Sequence, residues 1–316
     1  MTRWTMSDIP PQHRRVALVT GTGGLGFEDA LSLARAGCET IIAGRDLRKG
    51  VLAVEQIRRD VPGAKVRFER CDLASLTSVA ECAARLAVQI ERLDILINNA
   101  AVMVPPQRQV TADGFELQLG TNFLGHVALT AQLLPLLRQA PAPRVVSVSS
   151  IAALRGKIDF DDLQAERTYN PMASYAQSKL ACLMFAFEFQ RRSVAEGWGV
   201  TSIAAHPGIS RTDLIHNGAG PRSLQGRIRS YFPFLFQPVA QGALPTLFAA
   251  TAPEAKPGGY YGPDGFAELR GYPAASKIPS AALDEGVAAR LWEVSQMLTG
   301  VWFAAAEAPG NVTHVQ

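Results

Sequence analysis

The sequence predicts an α/β fold with a doubly wound parallel sheet in a single domain. Two features indicate this class: short apolar runs alternate with helical segments as far as about residue 205, and the first apolar run ends in a glycine-rich turn. Uninterrupted apolar runs are typical of strands buried on both faces, as in a parallel sheet. Strands that alternate with helices at this spacing form the crossover units of such a sheet.

Six strands and the helices between them are predicted in chain order. The strands lie in RRVALVT, ETIIAGR, AKVRFERCDL, RLDILINNAA, PRVVSVSS and GVTSIAAHPG. The first two helices, FEDALSLARAG and RKGVLAVEQIRRDVPG, end at glycine or proline, as helices commonly do. Three more are predicted in LTSVAECAARLAVQI, in a long segment from about 115 to 139, and in the segment that Tyr175 opens.

The remainder of the chain contains turn signals and short helical patterns, with no repeat and no linker that would separate a second domain. We therefore expect a flexible N-terminal arm at 1–13, one domain at 14–300 and a C-terminal tail at 301–316. Within the domain, residues 211–240 are predicted to form a cap-like insertion.

Charge and cysteine content exclude several classes of protein. The 31 Lys and Arg residues exceed the 28 Asp and Glu residues by a net charge of only +3, which is too small and too evenly spread to predict a nucleic-acid or anionic-membrane partner. The four cysteines have no CxxC spacing, which suits reduced core residues in the cytoplasm. The sequence shows no signal-peptide core and no apolar run of about 18 residues, so we expect a soluble, cytoplasmic protein without a membrane span.

The turn VTGTGGLGF lies between the first strand and the first helix, where backbone N–H groups and a helix N-terminus can hold a pyrophosphate. A tight turn without a ligand is the alternative explanation of its glycines. The second strand ends in AGRD, where a ribose with a free 2′-hydroxyl would favour a carboxylate. Arg45 fits a 2′-phosphate instead, which favours NADP(H) over NAD(H). NAD(H) remains an alternative if Asp46 binds the ribose hydroxyl or if Arg45 is only a solvated surface residue.

Further motifs follow the glycine turn in a fixed order: NNAA (98–101), VSVSS (146–150), Tyr175-x-x-x-Lys179 and HPG (206–208). Each follows a strand, at the edge where ligands bind in such sheets, and Tyr175 and Lys179 share one helix face. The chain resembles the short-chain dehydrogenase/reductase family over about residues 14–215, which implies a Rossmann-type fold. The stretches DGFELQLGTNFLGHVALT, GKIDFDDLQAERTYNPMASYAQSKLA and HPGISRTDL are similar to its retinol-dehydrogenase-like branch.

This resemblance implies the catalytic roles. Tyr175 is expected to exchange a proton with a carbonyl or alcohol oxygen, and Lys179 to tune the phenol by its charge and to bind the nicotinamide ribose. Ser150 is expected to hydrogen-bond the substrate oxygen, with Ser149 as the alternative if the register shifts by one residue. Asn122 is expected to kink its helix and hold a proton-relay water.

The resemblance also implies the cofactor contacts. Asp72 would accept a hydrogen bond from the adenine amino group, and the HPG turn would hold the nicotinamide carboxamide. No metal site is expected, since the acidic residues of 159–162 have no His partner, and His126 and His206 are interpreted as structural. The expected cofactor-binding residues are Gly21, Thr22, Gly23, Gly24, Leu25, Gly26, Arg45, Asp72, Leu73, Asn99, Ala100, Tyr175, Lys179, Pro207, Gly208 and Thr212.

One departure from the family concerns the glycine turn. Only Thr22 and Gly23 separate Gly21 from Gly24, whereas the family usually has three residues there. The shorter turn predicts a shifted pyrophosphate loop and weaker cofactor binding. Its spacing resembles that of nucleotide-sugar epimerases, against which NNAA and Arg45 argue. A catalytically silent sensor or scaffold is a further alternative, against which the intact catalytic set argues.

The substrate is predicted only by class. The aromatic segment YFPFLFQP (231–238) lies where the family covers its substrate, which indicates a lipophilic ketone, aldehyde or alcohol. The alternative is that these rings pack in the core or at a subunit contact. The direction of reaction stays open, although NADP(H) suits reduction. The family implies a homodimer or homotetramer through the helices that follow the fourth and fifth strands.

Overall fold

The computed structural model describes residues 3–209 and 237–303, and it contains one eight-stranded sheet in the order β3-β2-β1-β4-β5-β6-β7-β8. Strands β1 to β7 are parallel, and β8 pairs with β7 in the antiparallel sense. The predicted α/β doubly wound class is thus confirmed. The strands are β1 (Val16–Thr20), β2 (Glu39–Gly44), β3 (Val66–Arg70), β4 (Ile95–Asn98), β5 (Arg144–Val148), β6 (Thr201–Ala205), β7 (Tyr260–Pro263) and β8 (Pro273–Ala275).

Helices cover both faces of the sheet. Their N-termini are closed by side chains of residues that favour this position: Asp46, Ser75, Asn170 and Asp284 each accept a hydrogen bond from a backbone N–H of the first turn. The helices are α1 (Gly24–Arg35), α2 (Leu47–Asp60), α3 (Leu76–Gln89), α4 (Gly125–Arg138), α5 (Pro171–Ala195), α6 (Val239–Thr251) and α7 (Glu285–Thr299).

Alternate residues of the central strands enter two separate cores. In β4, Leu96 packs with residues of α3, α4 and α5, while Ile95 and Ile97 pack with residues of α1 and α6. This two-sided burial explains the uninterrupted apolar runs of the sequence. The chain order reverses between β1 and β4, and such a reversal opens a crevice at the carboxyl ends of the strands.

The structure differs from the sequence prediction in two strands and two helices. Strands β7 and β8 lie in the part of the chain where the sequence showed only turn signals and short helical patterns, because β7 is short and contains a Gly-Pro pair. The predicted helix at 115–139 is three pieces: Leu117–Leu119, a π-helical turn Gly120–Leu124, and α4. The helix predicted to open at Tyr175 begins earlier, at Pro171, because Asn170 caps it.

The first and the last of the described residues pack against the domain. The Trp4 ring lies 5.4 Å from that of Phe248, and Met6 also packs on the core, so the segment from residue 3 does not extend as the expected arm. At the other end, the Phe303 ring lies 4.3 Å from Trp292. Most of the predicted cap, 211–236, lies outside the described residues, while its last residues begin α6.

Helix α7 lies across α4 and α5, the helices through which the resemblance implies oligomers. Trp292 of α7 stacks on Phe185 of α5 at 5.6 Å and packs against Phe189 at 6.2 Å. The face of α5 that carries Phe185 and Phe189 is therefore covered by the chain itself.

Within 3–209 and 237–303, no helix is long and apolar enough to cross a membrane. All four cysteines are free and buried, in agreement with the sequence prediction.

Candidate active site

One large cavity, of about 1230 Å³, opens at the carboxyl ends of the central strands. Of the predicted site residues, Gly26 and Asn122 do not line it, and Thr212 lies outside the described residues. The cavity brings the others together at its wall: Gly21, Thr22, Gly23, Gly24, Leu25, Arg45, Asp72, Leu73, Asn99, Ala100, Ser150, Tyr175, Lys179, Pro207 and Gly208.

The glycine turn forms a strand–turn–helix junction in spite of its shorter length. Gly23 is the N-cap of α1, so the free amides of that helix begin at the cavity wall. The side chain of Thr22 lies against Gly44, where an added Cβ would be 2.7 Å from the Thr22 methyl. Gly26 instead lets α1 approach β1, since a Cβ there would lie 2.6 Å from the carbonyl oxygen of Gly21.

The ribose end of the cavity carries two cations. Arg45 and Lys49 both line it, and neither side chain has a hydrogen bond or ion pair with any residue that the structure describes. Asp46 is occupied elsewhere, because its Oδ1 accepts from the backbone N–H of Lys49 at 3.1 Å and caps α2. This cap weakens the argument that Asp46 would hold a free ribose.

At the adenine end, one carboxylate oxygen of Asp72 accepts from the backbone N–H of Ala74 at 3.0 Å. The other oxygen has no hydrogen-bond partner within the described ranges, and Asp72 lines the cavity beside Leu73. An acceptor at this position suits the exocyclic amino group of adenine.

The side chain of Asn99 fixes the loop that follows β4. Its Nδ2 donates to the carbonyl oxygen of Thr20 at 2.8 Å, and Thr20 Oγ1 accepts from the backbone N–H groups of Asn99 and Ala100. The fully buried ring of His126 contacts the same hydroxyl at 2.9 Å, and burial lowers the pKa of His126 to about 4. A neutral imidazole therefore supports the junction of β1 and β4.

The two serines after β5 have different surroundings. Ser149 is buried, and its hydroxyl donates to the carbonyl oxygen of Lys179 at 2.8 Å. Ser150 is half-buried at the cavity wall, where its Oγ accepts from the backbone N–H of Ala152 at 3.2 Å and its side chain also hydrogen-bonds that of Tyr175. Of the two alternatives that the sequence left open, the geometry favours Ser150.

Tyr175 and Lys179 stand one turn apart on α5 and both face the cavity from buried positions. Burial raises the pKa of Tyr175 to about 12, and the side chain of Ser150 opposes this rise. Burial lowers the pKa of Lys179, whose ammonium donates to the carbonyl oxygen of Val148 at 2.9 Å. At neutral pH the phenol therefore keeps a proton that it can donate to an oxygen in the cavity.

Asn122 is fully buried in the π-helical turn and acts on the cavity through Val102. Its side chain accepts from the backbone N–H of Val102 at 2.7 Å and donates to the carbonyl oxygen of the same residue at 2.9 Å. Its Nδ2 also lies 3.0 Å from Ser178 Oγ. Asn122 thus fixes a wall residue and joins it to α5.

The wall beyond Ser150 and Tyr175 is apolar. It is formed by aliphatic and thioether side chains from three separate loops and from the first turn of α5, and it favours a lipophilic molecule. These residues are Val102, Met103, Ile151, Leu154, Met172 and Leu269.

Comparison with known proteins identifies the family. The family model described as short chain dehydrogenase matches residues 15–219. The chain belongs to the short-chain dehydrogenase family. Retinol dehydrogenase 13 of Mus musculus is 41% identical over 300 residues, which cover 92% of this chain and 85% of that protein. Polyprenol dehydrogenase of Homo sapiens is 40% identical over 259 residues, or 80% of this chain and 78% of that protein.

Among solved structures, an uncharacterized protein from Mycobacterium paratuberculosis matches with a TM-score of 0.79 and 38% identity, covering 96% of this chain and 100% of that one. The predicted resemblance to the retinol-dehydrogenase-like branch is thus confirmed for this short-chain dehydrogenase. The chain is an oxidoreductase of that family, related to enzymes named for alcohols.

Sequence reasoning missed three residues of this short-chain dehydrogenase site. Lys49 could have been found, because it follows Arg45 by about one helical turn. Glu268 and Gln237, which contact the HPG turn, belong to no motif and reach it from distant parts of the chain. Gln237 lies in the segment YFPFLFQP, which the sequence marks only for its aromatic rings, and nothing in the sequence marks Glu268.

Proposed function

We propose that this chain is an NADP(H)-dependent oxidoreductase that interconverts a lipophilic ketone or aldehyde and the corresponding alcohol. The observation that carries the proposal is the shared wall of one cavity. It has Ser150, Tyr175 and Lys179 at one end and the glycine turn with Arg45 and Lys49 at the other.

The residues at the ribose end fit the cofactor. Arg45 and Lys49 leave two positive charges without partners in the described part of the chain, and a 2′-phosphate would neutralise them. The glycine turn and the N-terminus of α1 suit the pyrophosphate. When bound, NADPH supplies the hydride for the carbonyl carbon.

The protein supplies the proton and the orientation. Tyr175 donates its phenolic proton to the carbonyl oxygen, and the Ser150 hydroxyl donates a hydrogen bond to that same oxygen. With a pKa of about 12 the phenol is protonated at neutral pH, as the proton donor in a reduction must be. The apolar wall beyond them excludes water, and the names of the retinol and polyprenol relatives support a lipophilic substrate.

Fluorescence titration with NADPH and NADH tests the cofactor. We expect NADPH to bind at least about tenfold more tightly, which corresponds to about 1.4 kcal/mol. Arg45→Asp and Lys49→Ala should each weaken NADPH binding and leave NADH binding much less affected. Arg48→Ala is the matched control, because it removes the same charge from the same turn of α2 at a residue outside the cavity wall.

Turnover is then tested by following NADPH consumption with aldehydes and ketones of increasing chain length. We expect catalytic efficiency to rise with apolar length. Equal affinity for NADPH and NADH would refute the cofactor assignment, and NADPH binding without turnover of any carbonyl would favour a silent sensor or scaffold.

A further inference from the structure

The HPG turn is in close contact with a hairpin that the sequence did not predict. Strands β7 and β8 pair in antiparallel register, and the residues between them fold back toward the cavity. We call residues 266–269 the hairpin tip. Ala267 and Leu269 of this tip line the cavity beside Pro207 and Gly208.

The contact between the tip and the turn is close. The backbone N–H of Ile209 donates to the carbonyl oxygen of Leu269 at 2.8 Å. Gly208 has φ of +62°, and a Cβ added there would lie 2.4 Å from that oxygen and 2.9 Å from the carbonyl oxygen of Glu268. The turn therefore cannot move toward the tip, and it moves away only if these contacts break.

The hairpin tip itself is held in an uncommon backbone conformation. Ala267 has φ of 50° and Glu268 has φ of 56°, and both residues carry a Cβ. Such left-handed angles persist in side-chain-bearing residues only where the surrounding structure imposes them.

The carboxylate of Glu268 supplies that restraint. Its Oε1 accepts from the backbone N–H of Lys277 at 2.7 Å, and its Oε2 accepts from Ser276 Oγ at 3.1 Å. The same Oε2 lies 3.0 Å from Nε2 of His206, whose ring is fully buried. The hydrogen bond from His206 also holds the pKa of Glu268 below its ordinary value, so the acceptor is an ionised carboxylate.

The His206 ring connects the carboxylate to the turn. Its Nδ1 accepts from the backbone N–H of Gly208 at 3.2 Å, which places the ring proton on Nε2, toward Glu268 and Ser276. A second connection runs parallel to it: Gln237 Nε2 donates to the carbonyl oxygen of Pro207 at 2.6 Å, and its Oε1 accepts from Gly271 N–H at 3.2 Å.

We propose that Glu268 is a positioning residue: by anchoring the hairpin tip and His206, it fixes the Pro207–Gly208 turn that forms the nicotinamide end of the cavity. This role rests on the proposed function, since the family places the nicotinamide carboxamide at that turn. Glu268 does not line the cavity, and it acts through the backbone of residues 206–209. A misplacement of this wall would change the distance of hydride transfer more than the affinity for NADPH, most of whose charge is bound at the other end of the cavity.

The first test uses the free protein. Hydrogen–deuterium exchange should become about tenfold faster or more at the amides of Gly208 and Ile209 in Glu268→Ala, because local opening is no longer restrained. Glu268→Gly should show the same increase: glycine tolerates the positive φ, so only the loss of the carboxylate remains. Glu268→Gln keeps one acceptor, so its exchange rates should lie between those of the wild type and of Glu268→Ala. It replaces Glu268→Ala in the test if that variant does not fold.

The second test uses turnover. In Glu268→Ala we expect kcat to fall about tenfold to a hundredfold, while the Kd for NADPH changes much less. The isotope effect with NADPH deuterated at the transferred position should rise, because hydride transfer becomes slower than product release. Glu293→Ala is the control, since it removes an exposed carboxylate from α7, away from the cavity.

The two tests separate this role from the proposed function. Unchanged exchange at Gly208 and Ile209, or unchanged kcat and isotope effect in a folded Glu268→Ala protein, would refute the positioning role. If the wild-type protein turns over no carbonyl, the proposed function fails, and the exchange rates alone decide whether Glu268 restrains the turn.

Discussion

The ammonium of Lys179 donates a hydrogen bond to the carbonyl oxygen of Val148 at 2.9 Å, which joins α5 to the carboxyl end of β5. An ammonium has three N–H donors, and this carbonyl is the one acceptor that the described residues provide. Lys179 is 3% exposed, so its other donors face the cavity rather than bulk water. The side chain is therefore placed to receive acceptors from a ligand, such as ribose hydroxyls.

Replacing Lys179 with methionine should weaken NADPH binding and turnover together. Lys179→Met keeps a buried unbranched side chain, so the fold should persist, and loss of an incompletely paired buried charge should leave the protein at least as stable. We expect the Kd for NADPH to rise about tenfold, the value of about one charged hydrogen bond. Lys157→Met, an exposed lysine outside the cavity wall, is the control. Unchanged affinity in Lys179→Met would show that the ammonium is structural.

Lengthening the glycine turn to the usual family spacing should weaken cofactor binding. An insertion between Thr22 and Gly23 would displace the Thr22 side chain from Gly44, against which it now packs, and shift the N-terminus of α1. We expect the Kd for NADPH to rise about tenfold in fluorescence titration. An insertion after Gly63, in an exposed turn far from the cavity, is the control. Tighter binding after the first insertion would instead support the weakness that the sequence predicts.

The buried carboxyl of Asp29 should make the protein less stable as pH rises. Asp29 is fully buried in α1, neither of its oxygens has a hydrogen-bond partner among the residues that the structure describes, and burial raises its pKa well above the ordinary value. The unfolded chain therefore loses this proton first, from about pH 4 upward, so folding stability falls as pH rises toward the folded-state pKa.

Asp29→Asn removes that titration and should stabilise the protein at about pH 8, by about 1 kcal/mol, as successful single substitutions commonly do. Near pH 4 the variant and the wild type should have nearly equal stability, since both side chains are then neutral. Urea unfolding at the two pH values measures this difference. A variant that is destabilised at both would show that the carboxylate has a stabilising partner.

The sequence predicted the central sheet because short apolar runs, such as VALVT in β1, ETIIAG in β2 and ILIN in β4, alternate with helical patterns. It did not predict β7 and β8, which are short and gain their stability by pairing with β6 and with each other. Local propensity contains no information on such long-range pairing.

The site likewise contains residues that the sequence predicted and residues that it did not. Tyr175, Lys179 and Ser150 belong to motifs of fixed spacing, and the structure places them at one cavity wall. Lys49, Gln237 and Glu268 belong to no motif, and the last two reach the HPG turn from residues distant in the chain. The pKa of Tyr175 also depends on burial, whereas the sequence indicated only the charge of Lys179.

The turnover of Tyr175→Phe with NADPH and a lipophilic aldehyde tests the proposed mechanism most directly. The substitution removes one oxygen and keeps the packed ring, so the fold and NADPH binding should persist. Turnover should fall about a hundredfold to ten-thousandfold, as expected for the loss of a positioned general acid. Tyr169→Phe, which loses a hydroxyl bonded to Pro105 O outside the cavity wall, should keep wild-type turnover. A Tyr175→Phe protein as active as wild type would contradict the proposed mechanism.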